Sequence, residues 1–389
     1  MDLDWAAIRE AEFPVAREWA YFDHAAVAPI PRRAAEAVRL WAEDQAAHGL
    51  VRWGDWGARV EDLRAGLADW ISAEPDEIAF VANTTHGIGL VAEGFPWRAG
   101  DNVVIPADEY PSNVYPWMNL ADRGVEARLV PAREDRILVD DLAAAMDDRT
   151  RLLAVSHVEF ASGFRNDLDA LGALCRSRGV AFFVDAIQGV GPLVLDVART
   201  PVDFAAADGH KWLLGPEGAG FLYVRREWID RLRPLGVGWH SVTGSFSAPG
   251  LDFTLKPNAQ RWEGGSCNMP GLQGFAASMT LLREIGREAL SRRLLDRADA
   301  VRRAVSDAGW RVLGPPRPQE RSAIVTARAD GVDPDAAATL LRERKVVASC
   351  RRGRLRFSPH LYTDERDLGR LRDGLAAALV DARSAAKGS

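Results

Sequence analysis

Two short stretches carry groups with chemical potential. Val184-Asp185-Ala186-Ile187-Gln188-Gly189 sets a carboxylate at the exit of the apolar run 180–184, and Ala207-Asp208-Gly209-His210-Lys211-Trp212 sets an amine just past a second apolar run. A buried carboxylate is costly unless a cation or a metal partners it. A lysine between Gly209-His210 and Trp212-Leu213-Leu214-Gly215-Pro216 would be half-withdrawn from water, which would lower its pKa and favour the nucleophilic neutral amine. A protonated pyridine nitrogen would satisfy the acid, and an aldehyde would take the amine. Together they suit a pyridine-ring cofactor, pyridoxal 5′-phosphate (PLP). Taken singly, Lys211 also reads as a surface lysine and Asp185 as the cap of the following turn.

Other residues extend this set. Asn83-Thr84-Thr85-His86-Gly87 follows an apolar run and opens a helix, where free backbone N–H groups and two hydroxyls suit a phosphate. A threonine cap without ligand is the plainer reading. Gln188 could hydrogen-bond a ring hydroxyl, and Tyr110 could stack on a pyridine or simply pack under a loop. Arg356 alternates with Leu355 and Phe357, and a guanidinium inside a short strand invites a bidentate carboxylate such as that of an amino-acid substrate. Its neighbours Arg351, Arg352 and Arg354 leave a solvated edge strand as the alternative. Gly87-Ile88-Gly89-Leu90-Val91-Ala92, with Asp108 downstream, has the form of a dinucleotide fingerprint and would imply an NAD-dependent dehydrogenase. Its glycines fall inside a helix rather than in the turn, which sets that reading aside. The 7 histidines are dispersed without metal-ligand spacing, so no metal site is expected.

These groups need a scaffold. Residues 78–82, 102–106, 126–130, 152–156, 181–185, 204–207 and 220–224 form short, nearly continuous apolar runs, the signature of strands buried on both faces. Helical stretches such as 168–178 separate several of them, which implies a mostly parallel sheet between helices. In such sheets ligands gather outside the carboxyl ends of the strands, where Thr84, His157 and Asp185 lie. Beyond a Gly/Pro/Ser-rich connection, 272–308 reads as one long helix or a broken pair. Strands near 310–313, 323–327, 346–349 and 355–358, with helices at 333–343 and 364–382, suggest a small α+β unit. The expected division is 1–20 packing with the small domain, 21–270 as a large domain and 271–389 as the small one. The net charge of −6 argues against a nucleic-acid partner. No run approaches the ~20 apolar residues of a membrane span. Three cysteines without a CxxC pair, and no basic-then-apolar N-terminus, fit a reducing cytoplasm.

The ordered set of phosphate turn, aromatic, acid, lysine and arginine resembles the class V aminotransferase family of fold-type I PLP enzymes. That group holds cysteine desulfurases, selenocysteine lyases, kynureninases and isopenicillin-N-epimerase-like proteins. Tyr21-Phe22-Asp23-His24-Ala25-Ala26 is similar to the family's opening segment beside the substrate, Ser156-His157-Val158 to its strand-end histidine segment, and Leu355-Arg356-Phe357-Ser358-Pro359-His360 to its carboxylate-binding segment. The resemblance implies a fold-type I α/β large domain with a seven-stranded, mostly parallel sheet, and a smaller α+β domain. It implies Lys211, Asp185 and Tyr110 as catalytic residues, with Thr84, Thr85, Gln188 and His210 also on the cofactor. His24, Ala25 and Arg356 would face the substrate. Arg261-Trp262-Glu263-Gly264-Gly265-Ser266 resembles the segment whose serine reaches the phosphate of the neighbouring subunit, which implies a homodimer with shared active sites. Departures shape the expected reaction. Tyr110 stands where many relatives have a histidine, and Phe160 where desulfurases have an asparagine. The loop before Arg356 is short, with Cys350 only just upstream, so a structural thiol is expected there. The expected activity is therefore aminotransferase or C–S-lyase-like, starting at the Cα–H of an amino acid. Classical cysteine desulfuration and epimerisation remain as alternatives on the same scaffold.

Overall fold

The computed structural model describes residues 3–244 and 250–388. Helix Trp5–Glu12, capped by the Asp4 carboxylate on the Ala7 N–H, leads into a short strand, β1 (Ala20–Tyr21), and two long helices, Arg32–His48 and Trp53–Ile71. Seven strands then build the main sheet: β2 (Ile78–Val81), β3 (Asn102–Pro106), β4 (Glu126–Val130), β5 (Thr150–Ser156), β6 (Ala181–Asp185), β7 (Phe204–Asp208) and β8 (Gly220–Val224). Their order is β2-β8-β7-β6-β5-β3-β4, and only β8 runs antiparallel to its neighbours.

The apolar runs end up here because both faces of this sheet are covered. Every residue of β2, β3, β6, β7 and β8 is buried, whereas the outer strand β4 is half exposed. Strand alternation divides each run between two cores: Phe182 and Val184 join one, Ala181 and Phe183 the other. Helix Thr84–Gly94 packs on β7, and a Cβ added at Gly87 would stand 2.8 Å from the Ala206 Cβ. The fingerprint glycines thus lie inside the helix, where Gly87 serves close helix–sheet packing, rather than in a turn before it.

The second sheet is antiparallel. After β9 (Arg311–Leu313), β10 (Val325–Arg328) and β11 (Val346–Val347) come β12 (Ser349–Arg351) and β13 (Arg354–Phe357), and four of these pair in the order β12-β13-β10-β9. The stretch from 269 onward forms two helices, Met269–Ile285 and Arg287–Asp307, broken at Gly286, whose φ of 86° lies in the left-handed region. The N-terminus belongs physically to this second unit. β1 pairs in parallel with β11, Arg9 forks onto the Asp367 carboxylate at 2.6 and 3.1 Å, and Phe13 stacks on Tyr362.

Candidate active site

A cavity of about 450 Å³ opens beyond the carboxyl ends of β2, β6 and β7. At one end the Asn83 side chain caps helix Thr84–Gly94 by accepting from the His86 N–H at 2.9 Å. First-turn N–H groups have no intrahelical acceptor, so those of Thr84 and Thr85 are available to an anion. The Thr84 hydroxyl accepts from the Asp208 N–H at 3.0 Å, which fixes it and leaves its own proton to donate. Thr85 bonds Ser112 at 2.7 Å. His210 lines the same end, its Nδ1 3.0 Å from an Asp208 oxygen.

Asp185 and Lys211 line the same cavity. Asp185 is buried, and one of its oxygens accepts from the Ile187 N–H at 3.1 Å. Burial pushes its carboxyl up to about 6, against the pull of that N–H and of the Lys211 charge. Burial likewise pushes the Lys211 amine down to about 8, with Asp185 opposing and Arg356 reinforcing. The lysine is held by a locked turn: Leu214, at φ 59°, donates to the Lys211 carbonyl at 3.1 Å, and Ser278 donates to the Leu214 carbonyl at 2.7 Å. Gln188 donates to the Ala25 carbonyl at 2.9 Å and accepts from the Trp212 indole at 2.9 Å, tying the segment after Asp185 to the one after Lys211. One amide proton remains to it.

The far end is built by the hairpin β12–β13. Arg356 is only 1% exposed, so the solvated edge-strand reading fails; its strand is interior to the small sheet. Its Nη2 reaches Asp23 at 3.2 Å and its Nη1 the Phe160 carbonyl at 3.0 Å, while its Nε has no partner. Tyr110, 46% exposed, meets Phe160 edge-on, and its ring centre lies 5.7 Å from the Lys211 amine. Ala25 lines the cavity too.

Two expectations, for His24 and His157, are corrected. His24 does not face the cavity: it is 0% exposed, and its ring nitrogens are taken by the Ser358 carbonyl at 2.9 Å and the Tyr362 hydroxyl at 2.8 Å. Its influence is limited to holding the segment beside Arg356. His157 also turns away. Its backbone N–H donates to the Asp185 carbonyl, but its ring presses on Gly189, where an added Cβ would lie 2.3 Å from Nδ1. Ser266 is exposed in a separate depression with His86 and Gly218, outside the cavity of its own chain. Cys350 pairs with Leu355, so it lies on the face opposite Arg356, and burial, then proximity to Asp335, pushes its thiol up. Cys175 is buried in helix Leu168–Arg178, and Cys267 sits beside Ser266. No cysteine lines the cavity.

Two buried acids went unnoticed in the sequence. Glu109 accepts from the Ser156 N–H and hydroxyl, and Glu159 accepts from Asn166 at 2.9 Å. Burial pushes both carboxyls up, the Asp185 charge adds to both, and the Glu109 charge adds to Glu159. The only hint was the position of Glu109 beside Tyr110, and of Glu159 beside Phe160. Asp23, the partner of Arg356, had likewise no local signal.

These groups fit PLP. The anion-ready helix start, the buried carboxyl without an ion-pair partner at contact distance, and the desolvated amine correspond to phosphate, ring nitrogen and aldehyde. Comparison with known proteins agrees. The family model for aminotransferase class V matches residues 20–370. A probable cysteine desulfurase of Methanothermobacter thermautotrophicus is 32% identical over 343 residues, 85% of this chain and 83% of that protein. Among solved structures, a C-DES variant with glycine covalently linked to the PLP cofactor superposes with TM-score 0.89 at 25% identity, covering 95% of this chain and 98% of that one. The cystine C–S lyase C-DES bound to its product, cysteine persulfide, gives 0.87 at 26% identity, covering 94% and 99%. The chain belongs to the class V aminotransferase family and is a PLP-dependent enzyme.

Proposed function

We propose that this enzyme is a C–S lyase: it removes the Cα–H of a sulfur-bearing amino acid and lets the β-sulfur group leave into solution rather than onto a protein cysteine. The observation that carries this is the pairing of Cys350 with Leu355, which turns the thiol away from Arg356 and Lys211. PLP, when bound, supplies an electron sink for the carbanion left at Cα. The Lys211 Nζ, poised near neutral pH, takes the Cα proton and can return it. Asp185 keeps the proton on the ring nitrogen. Thr84, Thr85 and His210 hold the phosphate, and Gln188 the ring hydroxyl. Arg356 orients the α-carboxylate, while Tyr110 and Phe160 shield the reacting atoms from water. The cystine C–S lyase activity named for C-DES supports the same route.

The test is product analysis of the purified holoenzyme with cystine, cysteine and alanine. Pyruvate and a released sulfur species from the first two, in the absence of any added acceptor thiol, is the expected result. Keto acid formed only when a second keto acid is supplied would make it an aminotransferase instead.

We further propose a homodimer that completes its site with Ser266 of the second copy. The exposure of Ser266, and of Trp239, Leu251 and Phe253 on the preceding segment, supports that arrangement. A monomer by light scattering with full activity would refute it. The three unpaired cysteines support residence in a reducing cytoplasm, and no helix among the described residues is long and apolar enough to cross a membrane.

A further inference from the structure

Four arginines crowd the hairpin segment Arg351-Arg352-Gly353-Arg354-Leu355-Arg356, and three are matched by a carboxylate. Arg352 pairs with Asp108, Arg354 forks onto Asp135 at 2.6 and 2.9 Å, and Arg356 meets Asp23 at 3.2 Å. Arg351 has no carboxylate at ion-pair distance among the described residues. Its hydrogen bond, from Nη1, goes to the neighbouring Cys350 carbonyl at 2.8 Å. Yet Arg351 is half-buried and lines the cavity.

Register fixes where it points. Ser349 lies opposite Arg356 and Arg351 opposite Arg354, so Arg351 shares the face of Arg356 as its diagonal neighbour, with a spacing of roughly 7–8 Å. The turn between them, Arg352 at φ 49° and Gly353 at φ 69°, has both central residues left-handed, the geometry of a tight two-residue hairpin. Arg351 is thus carried by a short, clamped element rather than a wandering loop. Its charge is felt by the site: it lowers the pKa of both Lys211 and Arg356.

The remaining lining charges are already accounted for. Asp208 stands against His210, and Asp185 and Lys211, which line the same cavity, are the groups assigned above to the cofactor. Arg356 has the α-carboxylate. A half-buried guanidinium with no anion is poorly satisfied, and its planar fork matches an oxyanion with two accepting oxygens.

We propose that Arg351 binds a second anionic group on the substrate, so that the preferred amino acids carry a carboxylate or an oxidised-sulfur oxyanion beyond Cβ. This rests on the reading of the cavity as the substrate site of a PLP enzyme, and it narrows that reading to a substrate class. The distal carboxylate of cystine and the sulfinate of cysteine sulfinate both present the required chemistry.

Two measurements on the holoenzyme test it. Calorimetry with succinate and with butyrate, equal in length but differing by one carboxylate, should show succinate binding about tenfold or more tighter in the wild type, as loss of one charge-assisted contact predicts. In Arg351→Gln that gap should close, and Arg351→Lys should restore part of it. Kinetically, the ratio of kcat/KM for cysteine sulfinate, and separately for cystine, over that for cysteine should fall about 10–100-fold in Arg351→Gln. A response confined to one of the two substrates identifies which oxyanion is read. Equal binding of succinate and butyrate by the wild type, or an unchanged ratio in the variant, overturns the proposal. A wild-type protein that binds no PLP overturns instead the reading of the whole cavity.

Discussion

The two ends of the cavity are built differently. The cofactor end rests on backbone: a capped helix start after β2, the exit of β6 and the locked turn after β7, all anchored in one continuous sheet. The substrate end rests on side chains: the hairpin β12–β13 is tied to the rest of the molecule by Arg352–Asp108, Arg354–Asp135 and Arg356–Asp23. Backbone geometry at a sheet edge tolerates changes of surface residue. A hairpin held by ion pairs changes its offering whenever one charge is replaced. The contrast suggests a division of labour, in which a sheet keeps the cofactor chemistry constant while a small appended element selects the substrate.

The sharpest way to break the comparison is at the cofactor end. Lys211→Ala should abolish the visible absorbance of the bound cofactor's carbonyl linkage and lower turnover by about 10²–10⁴-fold or more. A variant with an unchanged spectrum would remove the assignment. At the other end, Arg356→Gln should leave that absorbance in place and cost about 10–100-fold in kcat/KM, since one charge-assisted carboxylate contact is lost. Equal damage to cofactor binding and substrate use by both variants would erase the distinction between the two ends. A subtler effect concerns pH in the apoprotein. The folded-state pKa of Asp185, about 6, lies above its ordinary 3.8, so its contribution to stability is full below 3.8 and is lost as pH rises to about 6. The melting-temperature difference between wild type and Asp185→Asn should therefore fall across that window and stay flat above it. The smallest effect is expected from Cys350→Ser, which should change sulfur release by less than about twofold because the thiol faces away from the cavity. A large loss there would revive persulfide chemistry.

Much of the cofactor end was legible in advance because its groups stand at the ends of buried parallel strands, and such strands announce themselves as apolar runs. Residues 181–185 and 102–106 match the strands to the residue, and β5 begins only two residues earlier than expected. The substrate end was harder. His24 and Arg356 lie in equally suggestive segments, but one ring is consumed by Ser358 and Tyr362 while the other side chain reaches the cavity. Glu109 and Glu159 looked like ordinary loop acids because nothing local reveals that Ser156 and Asn166 will enclose them.

The amino-acid order alone determined the sheet, the phosphate turn, the acid and the amine, since each depends on residues within a few positions of one another. Which face of the β12–β13 hairpin meets the cavity was decided only in three dimensions. Strand side chains alternate, so a shift of one residue in pairing would have presented Cys350 in place of Arg351. The carboxylates that meet the hairpin's other arginines, Asp23, Asp108 and Asp135, come from more than two hundred residues away along the chain.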